Sequence, residues 1–195
     1  MKNPVVKWLM MIAITAAVFA LNRFIYQTYF RLSSKNFHVY MLAYNFVLNF
    51  SLFGWITLIE WLLAPPLSSA YFNSYAFERN GKIYERLGIN LFRKFLVITG
   101  WEKLRKAGAP VKSSLDALVK QELTTRKAEF GHGIVSLIIL VLNIYVYIRH
   151  GFAAAAWMLG MNLLLGIYPI MLQRYNRPRL MRIISIFTKR NIQAN

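Results

Sequence analysis

Residues 133–172 read GIVSLIILVLNIYVYI, then RHG, then FAAAAWMLGMNLLLGIYPIML. Two apolar runs are separated by only Arg149, His150 and Gly151. A helix needs roughly 17–20 apolar residues to cross a bilayer. The first run, about 133–148, is short for this, but His132 and Tyr147 can sit in the interfaces. The second, about 152–172, is long enough and is loosened by Gly160, Gly166 and Pro169. So short a turn makes the two helices antiparallel neighbours. The fold expected from this hairpin is an all-α, polytopic membrane protein.

Two further apolar runs lie towards the N-terminus. One covers about 5–24, with Lys7 placed to snorkel; the other covers about 39–63 and is stopped by Pro65 and Pro66. The expectation is therefore about four transmembrane helices in a single membrane domain, 1–195. Composition agrees: 57% of residues are hydrophobic and 16% charged, against roughly 25% charged in soluble domains. The first run also reads as a signal peptide, with Val18-Phe19-Ala20 as the small-residue pattern. That reading leaves three spans and the same inside face.

The 24 Lys and Arg against 7 Asp and Glu give a net charge of +17. In a soluble chain this would point to nucleic acid. Here the cations lie between membrane runs, and anionic lipid headgroups are the simpler partner. Twelve Lys and Arg fall in 64–132 and six follow residue 172, whereas 25–36 holds Arg31 and Lys35 and the hairpin turn holds Arg149. Positive charge stays inside. Segments 64–132 and 173–195 are thus expected to be cytoplasmic, with both termini inside a multi-pass cell (inner) membrane protein.

Within 64–132, residues Ile89–Lys106 mix Leu91, Phe92, Phe95, Leu96 and Trp101 with Arg93, Lys94, Lys103, Arg105 and Lys106. That composition predicts a helix in the interface plane, broken by Ala107-Gly108-Ala109-Pro110. Ser113 with Asp116 resembles a capping box. A helix is expected to run from there into the third span. A second surface helix is expected where Leu180, Ile183, Ile184 and Phe187 share one face.

Asp116 is the only aspartate. There is no Asp-x-Asp of metal-dependent glycosyltransferases, no Asp-rich pair of prenyltransferases, and no Asp after His132 at the spacing of common glycerolipid acyltransferases. The absence of cysteine excludes disulfides, thiolate metal sites and a cysteine acyl-enzyme. Three constellations remain. Glu129 and His132 lie at i and i+3, so a carboxylate can orient an imidazole where the helix enters the membrane. The same spacing in a di-iron protein requires a second copy, and this chain has one. A Glu and a His at a water boundary with no special role is the plainer reading. Arg174, Arg177 and Arg179 place planar forks suited to phosphate or carboxylate just past the fourth span. An ordinary positive anchor would need no Tyr175, Asn176 or Pro178 among them. Phe77–Ile89 carries Glu78 and a tight turn at Asn80-Gly81. Glu60, at the end of the second span, reads as an interfacial carboxylate.

Gln173–Leu180 (QRYNRPRL), Arg126–His132 (RKAEFGH) and Phe77–Lys82 (FERNGK) occur in this order. Together they resemble the glycosyl-4,4'-diaponeurosporenoate acyltransferase family over about residues 77–190. The second hydrophobic span looks additional to shorter members. The resemblance implies a membrane acyltransferase that esterifies a sugar hydroxyl of a glycosylated carotenoid, or a similar isoprenoid lipid, with a fatty acyl chain. It implies an acyl thioester donor, a glycosylated isoprenoid acceptor, and no cofactor or metal. His132 would be the general base, oriented by Glu129. Arg174, Arg177 and Arg179 would bind the donor's phosphorylated carrier, with Asn176 and Arg126 assisting and Glu78 adding a carboxylate. A non-catalytic scaffold or lipid-binding protein would explain the basic face equally well, but not the Glu–His pair. A transporter would have only Asn143 and Asn162 as the main mid-span polar groups of the last two helices.

Overall fold

The computed structural model describes residues 3–32, 37–101, 103 and 114–194. The break expected at 107–110 and the cap expected at Ser113 lie outside the described residues. Among those described, the chain is helical with no strand. The long helices are α1 (Pro4–Leu32), α2 (Phe37–Leu63), α5 (Leu115–Asn162) and α6 (Tyr168–Ala194). Between α2 and α5 lie 3-10 turns at Ala70–Phe72 and Ala76–Gly81 and the short helices α3 (Lys82–Arg86) and α4 (Ile89–Ile98). By length and composition, three helical stretches can cross a membrane: Pro4–Thr28, Phe37–Leu63 and Leu115–Arg190. The last contains both arms of the expected hairpin. The described residues group into two units, Met1–Pro65 with Gly131–Ile167 and Pro66–Phe130 with Tyr168–Asn195.

The first, apolar unit holds α1, α2 and the hairpin. Gly151 reverses the chain at φ 81° and ψ −178°, a conformation open to glycine and strained for other residues. Two hydrogen bonds then clamp the arms: Asn143 Nδ2 donates to the Ala155 carbonyl at 2.7 Å and Asn162 Nδ2 to the Ser136 carbonyl at 3.2 Å. Met41, Tyr44, Leu48, Leu52 and Ile56 recur at helical spacing on α2 and pack with Val135, Ile139, Val146, Ala154 and Met158. On α1, Trp8, Leu9, Ile12, Phe19 and Phe24 stay exposed, as side chains facing lipid would. The second arm does not run straight to residue 172. It ends in a π-helical turn, Leu163–Ile167, and α6 then continues without a break through Pro178. The surface helix expected at 180–187 is therefore part of this longer helix.

The second unit is basic. Ser114 starts α5 by accepting the Ala117 N–H at 3.3 Å, one residue after the expected cap. In α4, Ile89 and Phe92 turn inward and Phe92 stacks on Tyr168 with ring centroids 5.2 Å apart. Leu91 and Ile98 on the same helix are 71% and 84% exposed. The helix is two-sided, and it is shorter than the expected Ile89–Lys106 because Gly100 turns at φ 76°. Arg79, Asn80 and Gly81 form a left-handed run with φ of 48°, 54° and 88°. A side chain at residue 81 would meet the Tyr175 carbonyl oxygen at 3.0 Å. Glycine thus lets the turn lie directly on the α6 backbone.

Candidate functional site: a buried ion network and a histidine in the apolar unit

Helix periodicity assembles the network in the basic unit. Glu122, Thr125 and Glu129 share one face of α5, and Arg174 and Arg177 share one face of α6. Arg174 gives its Nε to Glu129 Oε1 at 2.7 Å, its Nη1 to Glu78 Oε1 at 2.6 Å and its Nη2 to the Tyr71 carbonyl at 2.7 Å. Arg177 gives its Nε to Thr125 Oγ1 at 3.1 Å and its Nη1 to the Phe72 carbonyl at 3.0 Å. Its Nη2 lies 2.5 Å from Glu129 Oε2, a charge contact without the alignment of a hydrogen bond. Arg126 bonds Glu122 Oε1 at 2.7 Å and the Leu67 carbonyl at 2.8 Å. Each of the three arginines therefore joins a carboxylate to a backbone carbonyl of the 67–72 segment. Phe72 lies beneath Arg126 and Arg177, and Tyr71 and Tyr75 beneath Arg174.

Three carboxylates, Glu78, Glu122 and Glu129, balance the three guanidinium groups, which removes the penalty of an unpaired buried charge. Glu78 is held by the left-handed turn that follows it. It accepts from Tyr84 at 2.6 Å and from the Tyr75 N–H at 2.9 Å besides Arg174. Burial alone would raise this carboxyl, but the hydrogen bonds from Tyr84, Arg174 and the Tyr75 N–H, with the Arg174 charge, outweigh it and hold the group below its ordinary value. Burial, then the Glu78 acceptor, pushes the Tyr84 phenol up, so Tyr84 remains a donor.

The predicted residues thus separate. Glu78, Arg126, Glu129, Arg174 and Arg177 come together in the network. Arg179 and Asn176 are exposed on α6. Arg179 pairs with Glu85 at 3.3 Å and lies 3.8 Å over the Tyr175 ring, which Arg93 also faces. His132 belongs to the apolar unit. Its ring packs edge-on against Phe53, with centroids 4.5 Å apart. Its Nδ1 is buried without a partner. Both Glu129 oxygens face arginines.

Sequence reasoning missed Tyr71, Phe72, Tyr84, Glu122 and Thr125. The signal for two of them was present: Glu122, Thr125 and Glu129 recur at i, i+3 and i+7 beside Arg126. No group of three or more His, Asp or Glu able to hold a metal occurs among the described residues.

The model of the family described as glycosyl-4,4'-diaponeurosporenoate acyltransferase matches residues 68–186. This interval includes the whole ion network except the Leu67 carbonyl, and also His132. No curated protein and no solved structure matches the chain.

Proposed function

The chain belongs to the glycosyl-4,4'-diaponeurosporenoate acyltransferase family, and from that premise we propose that it moves a fatty acyl group from a thioester to a sugar hydroxyl of an isoprenoid lipid at the membrane surface. The observation that carries this reading is the coincidence of the family match with a buried, charge-paired ion network and a buried imidazole whose Nδ1 has no hydrogen-bond partner. In the proposed reaction His132 Nδ1 takes the hydroxyl proton, and the alcohol oxygen attacks the thioester carbonyl carbon. The tetrahedral oxyanion collapses with cleavage of the carbon–sulfur bond. The thiolate leaves with the proton from the imidazolium, giving an ester and a free thiol.

The arginines divide by burial. Arg174, Arg177 and Arg126, with Glu129 and Glu78, act as positioning residues, because all three nitrogens of Arg174 and of Arg177 already meet protein atoms. Asn176 and Arg179, the latter in an exposed pair with Glu85, lie on the surface of α6 and are the better placed groups for an anionic donor. We further propose that the basic unit and both termini are cytoplasmic and that anionic lipids hold that face.

Mass spectrometry of lipids and pigments tests this in cells lacking the gene, complemented with wild type or His132→Ala. The expected result is a product lighter by one acyl group in the deleted cells, restored by wild type alone. Equal restoration by His132→Ala would remove the general base. If deletion leaves every acylated species unchanged, a non-catalytic membrane scaffold becomes the better reading.

A further inference from the structure

The basic unit gathers two exposed guanidinium groups on one ring. Arg179 of α6 has its Cζ 3.8 Å from the Tyr175 ring centroid, and Arg93 of α4 has its Cζ 5.6 Å from the same centroid. Tyr175 is a fixed support. It is 5% exposed, its hydroxyl donates to Glu85 Oε1 at 3.1 Å, and the Gly81 turn lies against its backbone. Arginine stacks on an aromatic face and keeps the N–H groups of its fork available for a ligand. Arg179 gives one N–H to Glu85 Oε1 at 3.3 Å. Arg93 is exposed, and it has no hydrogen bond or ion pair with any described residue. Two cations thus share one ring against a single carboxylate. Their mutual repulsion is offset only once within the described residues, and an anion would offset it again.

We propose that Arg93 and Arg179, seated on Tyr175, bind the phosphate of a water-soluble thioester carrier. A phosphate brings the missing negative charge and several acceptor oxygens, and it fits the planar guanidinium fork. Two sources present such a group, a lipid headgroup and a soluble carrier. The position of Arg93 favours the second. Leu91 and Ile98, 71% and 84% exposed, lie about 140–160° around α4 from Arg93, at roughly 100° per residue. That apolar face suits lipid, which turns Arg93 towards water. The carrier's role as acyl donor rests on the acyltransferase reading, whereas the phosphate site does not. Arg179 stands out in the sequence, but Arg93 and the ring that joins the two are brought together by the fold.

The test uses the full chain in neutral phosphatidylcholine nanodiscs, with binding measured by titration calorimetry. Coenzyme A is the probe, and pantetheine, which has the thiol but no phosphate, is the control. Coenzyme A is expected to bind and pantetheine is not. Arg93→Ala is expected to weaken coenzyme A binding about tenfold, the effect of losing one charge-assisted hydrogen bond. Arg93→Lys keeps the charge but loses the fork, and should recover only part of the affinity. Glu85→Gln removes the competing carboxylate and should tighten binding severalfold, which a purely structural pair would not do. Unaltered circular dichroism of Arg93→Ala controls for folding. In acyl transfer from an acyl-coenzyme A, Arg93→Ala should raise KM for the thioester while KM for the alcohol stays unchanged. Equal binding of pantetheine, equal binding by Arg93→Ala, or no binding of either probe would overturn the site as a place for a soluble carrier. If phosphatidylglycerol nanodiscs then stabilise wild type but not Arg93→Ala, the phosphate belongs to a lipid headgroup. Binding with the expected pattern but no acyl transfer would instead overturn the acyltransferase reading and leave the phosphate site standing.

Discussion

Glu78 shows how a single buried carboxylate can set the acid limit of the basic unit. Its folded carboxyl is held below the ordinary value of 4.5. A depressed folded value means that the stabilisation is fully present above the unfolded value. It is lost as pH falls through 4.5 towards the folded value. Thermal midpoints in nanodiscs should therefore drop as pH is lowered below that point. Glu78→Ala should lower stability by about 3–5 kcal/mol at neutral pH, because it leaves part of a buried ion network unpaired. It should also flatten the acid limb. An unchanged acid limb in Glu78→Ala would show that another carboxylate controls it. The sequence placed Glu78 in a motif but could not reveal that its partners are Tyr84 and Arg174, which lie 6 and 96 positions away.

At the scale of the element, the hairpin rests on one glycine and two amide clamps. Its turn was legible because two apolar runs separated by three residues have no other route. The π-turn was not legible. Gly160, Gly166 and Pro169 announced a loosened helix, but the side chains packed against Gly166 decide where one extra residue enters the turn. The absence of cysteine in the chain makes the hairpin directly testable. Cysteines at Asn143 and Ala155, positions joined across the arms by a side-chain-to-carbonyl hydrogen bond, should cross-link under mild oxidation. Adding Gly151→Val should reduce the cross-linked fraction severalfold, since a β-branched residue is disfavoured at φ 81°. An equal yield would mean that the turn does not depend on glycine.

For the whole molecule, charge and apolar length govern placement in the membrane. A cysteine replacing His150, in the hairpin turn, should react with an impermeant maleimide on intact cells. One replacing Arg190 should react only after the membrane is opened. The reverse pattern would invert the proposed topology. The sequence by itself determined the helical class, the apolar runs and the basic segments, because these depend on local length, periodicity and charge. It also carried the family, through three short motifs in order. Tertiary structure decided which arginines are buried. Arg174, Arg177 and Arg179 look alike in the sequence, but only the folded chain shows carboxylates and carbonyls burying the first two, while the third stays on the surface beside Glu85 and the Tyr175 ring. Such pairing joins residues about 45 to 105 positions apart, and periodicity carries no information across that separation.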